Sequence, residues 1–542
     1  MWTTGCLVWS RDNRENHLSK VLRNIRLVYV GMSEPLHNIV VLGGGTAGWL
    51  SAYMLQDFCR QHGISAKLTV VDSSKIPTIG VGEGTTAIFK TFMESFGLEE
   101  QEFLRETHGT IKYGIRHRDW KRLGHQYDGP IDDPHFLIPK EEPDDFEFIN
   151  AYCIASGRCV SEAHLFQKLL SEGLAPVRKI PDGSLEPNHP FLHAFHIDNI
   201  AVGRYLRKKA KGIEIIDGVF EEVQRDPQSG NINALKLDGQ RKIEGDFFID
   251  CSGFSRLLVE QVFQSDWISY KDELPVNRAM PFFLDHDPAR EIPPYTLAWA
   301  QGSGWMWQIP TQDRMGCGYV YSDEFLSPDE AHSEIESVLG ESVEPRQDLR
   351  FEVGRVQDSW KGNCLAIGLS AGFLEPLEAT SIHSTLVQLI LFSKEYLEDV
   401  LHGNDRGRER FNQRIGRQFD DFKTFLNIHY RGERDDTPFW QHVHDHCLGE
   451  ESARRLEMWK RELPMISHFQ HYLSGLPHVE TQLYYPVLDG MGLLNQQKAR
   501  EEMARRKLKR KAQQQFQQLK DEYKQMTTGS LGHREYLLKL TH

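Results

Sequence analysis

Apolar and polar residues change rhythm several times along this chain, and each change marks an element. Asn38 to Leu42 is a short, β-branched apolar run that ends at Gly43-Gly44-Gly45-Thr46-Ala47-Gly48. From Trp49 to Cys59 apolar residues recur at helical spacing, so the order reads strand, tight glycine turn, helix. Lys67 to Val71 predicts a second strand, closed by Asp72. Further strands are predicted at Gly218 to Val223, Ile232 to Leu237, Asp246 to Ile249 and Cys364 to Ile367. Between Gly304 and Pro310, strict alternation puts Trp305 and Trp307 on one face of an extended segment. From Ala379 to Leu401, Ile382, Leu386, Leu389, Ile390 and Tyr396 keep helical phase. Residues 405–475 read as largely helical, and Gln496 to Gln525 as one charged, Gln-rich helix.

These elements predict an α/β chain with a Rossmann-like lobe that is discontinuous in sequence, drawn from about 38–90, 211–262 and 350–400. The stretches 85–210 and 265–350 are assigned to a mixed, largely helical second lobe. Residues 32–495 then form a single domain, and 496–542 a charged C-terminal helical tail. Met32 precedes Ser33-Glu34-Pro35 and the first strand, so residues 1–31 are expected to be an extension with no role in the fold. N-terminal sequencing of the native protein tests this.

Composition narrows the class. A formal charge of -14, from 63 basic and 77 acidic side chains, gives no electrostatic case for nucleic acid. The run from Arg505 to Lys511 reads as a solvated helical face. Eight cysteines without a C-x-x-C pair indicate neither a zinc site nor a disulfide framework, and a reduced, cytoplasmic setting fits best. No run of about 18 apolar residues predicts a membrane span.

The glycine turn admits a pyrophosphate to the backbone, and the helix behind it presents free amides and the positive end of its dipole. Asp72 stands 24 residues past Gly48, about where a ribose-binding acid belongs, although a turn-forming carboxylate is the plainer alternative. The later strand ends in Asp250-Cys251-Ser252-Gly253-Phe254, which is similar to FAD-binding folds of glutathione-reductase type and points to FAD rather than NAD. Ile76-Pro77-Thr78-Ile79-Gly80-Val81-Gly82-Glu83-Gly84-Thr85-Thr86 is a glycine-rich strap able to pass close to a planar ring, or an ordinary glycine loop.

With these segments, Gly304-Trp305-Met306-Trp307-Gln308-Ile309-Pro310 and Phe373 to Thr380 bring the chain, over residues 38 to about 495, into resemblance with the flavin-dependent, tryptophan-halogenase-like halogenases. The Trp pair matches their W-x-W-x-I-P signature, and the strap their I-G-V-G-E-x-T. The resemblance implies reduced FAD, O2 and halide reacting to give hypohalous acid. That oxidant passes through a tunnel, which Trp305 and Trp307 would line, to a separate substrate pocket. A separate flavin reductase would supply FADH2, and a homodimer is the family habit. Lys112 resembles the catalytic lysine and Glu378 the matching glutamate. An ammonium there can polarise HOX, and burial favours an amine able to form a haloamine; the acid can pair with Lys112 or take the proton as the ring rearomatises. Read alone, Lys112 is a surface lysine and Glu378 a cap for the following helix. By matching position, Gly43, Gly44, Gly45, Thr46, Ala47, Gly48, Asp72, Ile79, Gly84, Val219, Leu369 and Ile382 should contact FAD, and Thr380 and Ser381 should hold halide. The resemblance implies no metal.

Two departures bear on specificity. The family's Ser-Thr-Gly is here Ala379-Thr380-Ser381, and the added side chain changes the halide pocket in a way that favours bromide. The family's His and Phe after the lysine become His135 and Leu137, and Gln482-Leu483-Tyr484-Tyr485 runs straight into Pro486, omitting a Trp-containing segment. An indole without the amino-acid backbone, or an aromatic residue within a peptide, is therefore the expected substrate rather than free tryptophan. An aromatic hydroxylase is disfavoured by Gly368-Leu369-Ser370, where Gly-Asp is usual. A non-catalytic flavin-binding protein is disfavoured by the presence of both Lys112 and Glu378.

Overall fold

The computed structural model describes residues 37–76, 80, 82–138, 146–472, 479 and 481–541. The expected extension at 1–31 and Ile79 lie outside the described residues. A six-stranded sheet runs in the order Glu214–Asp217, Ala66–Asp72, His37–Leu42, Phe247–Asp250, Cys364–Ala366 and Trp360–Lys361, with every pair parallel except the last. Val41 pairs with Val70 on one side and Ile249 on the other. Both faces of this sheet are covered, which is why the strand His37–Leu42 runs apolar without alternation from Ile39 to Leu42. Each core side chain buried here contributes about 1.5–3 kcal/mol.

The helix Thr46–His62 leaves the glycine turn and ends at Gly63, whose left-handed backbone (φ 70°) returns its N–H to the Cys59 carbonyl. The helix expected from Ala379 to Leu401 is two, Thr380–Glu395 and Leu397–Leu401, because Tyr396 is not helical.

The second lobe is built on a seven-stranded sheet with Gly304–Pro310 in its interior, between Met315–Tyr321 and Thr296–Ala300. A small three-stranded sheet, Glu83–Gly84, Ala194–Ile197 and Thr110–Lys112, joins the strap to the lysine: Gly84 pairs with His196, which also pairs with Thr110.

Residues 496–541 pack into the fold. The single helix expected over 496–525 is broken into Gln496–Arg505 and Lys509–Thr527, with Lys507 left-handed between them (φ 56°). Phe516, Leu519 and Tyr523 are buried, and Ser530–Gly532 adds a strand to Leu174–Lys179. Among the described residues no helix is long and apolar enough to cross a membrane, and the cysteines are free thiols.

Candidate active site

The glycine turn is shaped by contacts that exclude side chains. Gly43 has φ 114°, and a Cβ there would lie 2.2 Å from the Cys251 carbonyl oxygen; one on Gly44 would lie 2.1 Å from the Asp72 carboxyl carbon. The next helix starts at Gly45 without a side-chain cap, so its first amides are left for a ligand. A Cβ on Gly368 would meet Ala47 at 2.7 Å, which sets Leu369 beside the same turn. Val219 is tied to this edge too: Gly218 N–H donates to the Asp72 carbonyl, and Val219 exchanges hydrogen bonds with Asp238. Asp72 also accepts from the Ser73 N–H, so the turn-forming role is real and leaves the carboxylate beside Gly44. The cleft has a bare backbone, an open helix start and an acid at the strand end, a donor set that fits a dinucleotide.

The strap, Lys112 and the start of the Thr380–Glu395 helix meet at one point. A Cβ on Gly84 would lie 2.9 Å from Lys112 Nζ and 3.4 Å from Ala379 Cβ. Lys112 is 2 % exposed, and its ammonium donates to the Thr85 carbonyl at 3.2 Å. Burial pulls its pKa down to about 8, against the opposing fields of Glu378 and Glu83. Glu83 accepts from Asn199 Nδ2 at 2.9 Å and from the Ile382 amide, yet burial pushes its carboxyl up to about 7. Lys112 and Glu378 thus feel each other's charge, but no hydrogen bond joins them among the described residues.

Glu378 lies instead between two histidines. Its Oε1 accepts from His429 Nε2 at 2.9 Å and lies 3.5 Å from His117 Nε2. Burial alone would raise this carboxyl; the two histidines overcome it and bring the pKa to about 2. His117 stacks on Tyr127 at 4.5 Å and 8°. Ala379 follows with left-handed backbone (φ 54°), and the chain enters the helix through Thr380 and Ser381 without a side-chain cap.

Trp305 and Trp307 do share a face, with ring centroids 6.4 Å apart, while Met306 joins a different core cluster. Trp305 Nε1 donates to Glu375 Oε2 at 2.6 Å, and Tyr430 donates its hydroxyl to the same oxygen at 2.6 Å. Gly318 pairs with Trp307, and a Cβ there would strike the indole at 2.1 Å.

His135 and Leu137 sit in a short turn, Pro134–Leu137, where the Asp133 side chain accepts from the His135 N–H. Pro139 and Lys140 lie outside the described residues. Gln482 to Pro486 belongs to the helix Thr481–Gly490, packed so closely that a Cβ on Gly490 would meet Tyr127 at 2.2 Å.

Sequence reasoning missed His117, His429 and Glu83. A signal existed for His117: Arg116 and Arg118 flank it in a strand, so Ile115 and His117 turn inward. His429 continues the apolar face of the helix Arg408–His429 through Phe411, Ile415, Phe422 and Phe425. Glu83 was read only as part of a strap.

A doubly covered, mainly parallel sheet with a bare glycine turn, set beside a buried lysine and a partly buried carboxylate, is the frame of a flavoenzyme. The chain matches the tryptophan halogenase family over residues 38–509 and belongs to it; it is a flavin-dependent halogenase. It is similar to a tryptophan 6-halogenase of Streptomyces toxytricini, 33% identical over 482 residues that span 84% of this chain and 89% of the relative. A tryptophan 7-halogenase of Lentzea aerocolonigenes is 31% identical over 494 residues, 85% of this chain and 91% of the relative. The solved structure of the S. toxytricini enzyme superposes with TM-score 0.80 at 29% identity, covering 93% of this chain and 99% of that one. A flavin-dependent halogenase from Brevundimonas sp. BAL3 superposes with TM-score 0.78 at 27% identity, covering 94% and 100%.

Proposed function

We propose that this enzyme halogenates an electron-rich aromatic ring of indole type, free or within a peptide, with Lys112 and Glu378 as its catalytic pair. Reduced FAD from a separate reductase, when bound, supplies the electrons with which O2 and halide give hypohalous acid. The turn Gly43 to Gly48, Asp72, Gly84, Val219, Leu369 and Ile382 would hold the cofactor, with Ile79 added by resemblance. The open amides at Thr380 and Ser381 would hold halide, bromide in preference to chloride, and the Trp305–Trp307 face would line the route between the chambers.

The observation that carries this reading is the convergence of Lys112 and Glu378, 266 positions apart in the chain, on the strap residue Gly84 and its neighbour Ala379. The Lys112 ammonium donates to the oxygen of HOX and polarises the halogen toward the ring. The ring carbon bonds to halogen, the O–X bond breaks, and the ammonium proton converts the departing hydroxide to water. Glu378 takes the proton from the halogenated carbon, and the electron pair of the C–H bond that breaks returns to the ring and restores aromaticity. Return of that proton to the Lys112 amine resets both groups, downhill from a carboxyl near pKa 2 to an amine near 8.

The test supplies the protein with a flavin reductase, bromide or chloride, and either indole or free tryptophan. A bromoindole product, formed faster than any product from tryptophan, is expected. Oxygen in place of halogen would mean a hydroxylase, and flavin binding without turnover would mean a binding protein.

A further inference from the structure

Glu378 presents its two oxygens unequally. Oε1 lies between His429 Nε2 and His117 Nε2, and the three side chains converge within 4.8 Å. Oε2 makes no hydrogen bond among the described residues. The hydrogen count on His429 follows from its partners. Its Nδ1 lies 2.9 Å from the Phe425 carbonyl, which can only accept, and its Nε2 faces a carboxylate oxygen, which also accepts when ionised. With Nδ1–H given to Phe425, the 2.9 Å contact between Nε2 and Oε1 requires one proton between His429 and Glu378, and the depressed Glu378 carboxyl puts it on the imidazole side of a mostly buried pair. His117 makes no conventional hydrogen bond at either ring nitrogen among the described residues and is fully buried against Tyr127, with the same Glu378 oxygen 3.5 Å from its Nε2.

We propose that His429 and His117 are positioning residues for halogenation, pinning Oε1 so that Glu378 stays ionised although mostly withdrawn from water, with Oε2 the basic atom turned to the ring. The inference rests on the reading of Glu378 as the base. Each part is needed: burial of a lone carboxylate favours its neutral form, which cannot accept a proton. The other titratable groups facing this carboxyl are Lys112 and Tyr127, and Asp128 acts on His117. Lys112 alone does not hold Glu378 ionised through the cycle, because in the proposed reaction it gives up its charge at the moment the base is needed. A fixed cation on His429 remains. The histidines lie on separate elements, His117 on Gly114–Arg118 and His429 at the end of Arg408–His429, so they lock Oε1 from two directions.

The experiment compares the whole enzyme with His117→Phe, His429→Leu and His429→Gln, each checked for folding by circular dichroism and for flavin affinity. Infrared difference spectra against Glu378→Gln identify the Glu378 carboxyl without requiring turnover. Wild type should show an ionised group at neutral pH; His429→Leu should show the carbonyl stretch of a protonated carboxyl, and His429→Gln, which keeps one N–H, an intermediate state. In bromination of indole, the acidic limb of the rate profile should move to higher pH in the order wild type, Gln, Leu. The deuterium effect at the substituted carbon should grow as deprotonation becomes slow, with kcat falling ~10–100-fold. An ionised Glu378 at neutral pH in both His429→Leu and His117→Phe, with an unmoved acidic limb, would overturn the inference. If Glu378→Gln itself brominates indole at the wild-type rate, the base reading fails instead, and the infrared result still reports on the histidines separately.

Discussion

At the scale of single residues, the role proposed for Lys112 sets function against stability. An ordinary lysine pKa of 10.5 falls to about 8 in the fold because burial disfavours its charge. Between those values the unfolded chain binds more protons than the folded one, so the lysine's contribution to stability rises with pH through that window and is least favourable below pH 8. Lys112→Met is therefore expected to abolish halogenation, to leave flavin affinity and uncoupled peroxide formation unchanged, and to raise stability near neutral pH by about 1–3 kcal/mol. Denaturant unfolding at neutral and alkaline pH checks the sign, since the gain should shrink toward pH 10. For catalysis that uses the ammonium, kcat should decline as pH rises through about 8. Gly84 is constrained by the same lysine. Gly84→Ala places a methyl 2.9 Å from Nζ, and the displaced ammonium should let hypohalous acid escape. A soluble trap should capture it while indole bromination falls about tenfold or more.

At the scale of elements, the strand Gly304–Pro310 carries its indoles inward because strand side chains alternate, and the strand opposite makes room by omitting a side chain at Gly318. Gly318→Ala should cost about 1–3 kcal/mol through overpacking against Trp307, read as a lower denaturation midpoint. Trp305→Phe tests another property of that strand. Glu375 would keep the Tyr430 bond and lose the indole N–H, a loss of about 1–3 kcal/mol. Burial already raises this carboxyl to about 7, so removal of a donor should raise it further.

At the scale of the whole molecule, the C-terminal stretch reaches back to the lysine. His533 is buried; its Nε2 accepts from the Ile111 N–H at 3.1 Å and its Nδ1–H donates to the Ile292 carbonyl at 2.7 Å. One imidazole thus ties the backbone next to Lys112 to the second lobe. Burial lowers its pKa to about 4, which keeps the neutral tautomer that both contacts require. His533→Ala should lower stability by about 2 kcal/mol and leave the Ile111 amide buried without a partner. Faster hydrogen exchange at Ile111, with halogenation reduced more than flavin binding, would mark this as a constraint on the lysine strand.

The local pattern determined much of this protein by itself. The strand Ile232–Leu237 and the strand–turn–helix at Asn38 to Cys59 were legible because period-two and helical spacing, and the glycines between them, are properties of neighbouring residues. The facing of Trp305 and Trp307 followed from the same alternation. Lys112 and Glu378 were recognisable only by resemblance, since nothing local separates a catalytic lysine from a solvated one. Tertiary structure decided what the carboxylate touches. Glu378 hydrogen-bonds to His429 and lies against His117, brought from the end of a long helix and from a strand, and no local rhythm encodes a contact between positions 51 and 261 residues away. The break at Lys507 and the docking of His533 were likewise invisible, because a charged surface helix and one with a buried apolar stripe differ only in what packs against them.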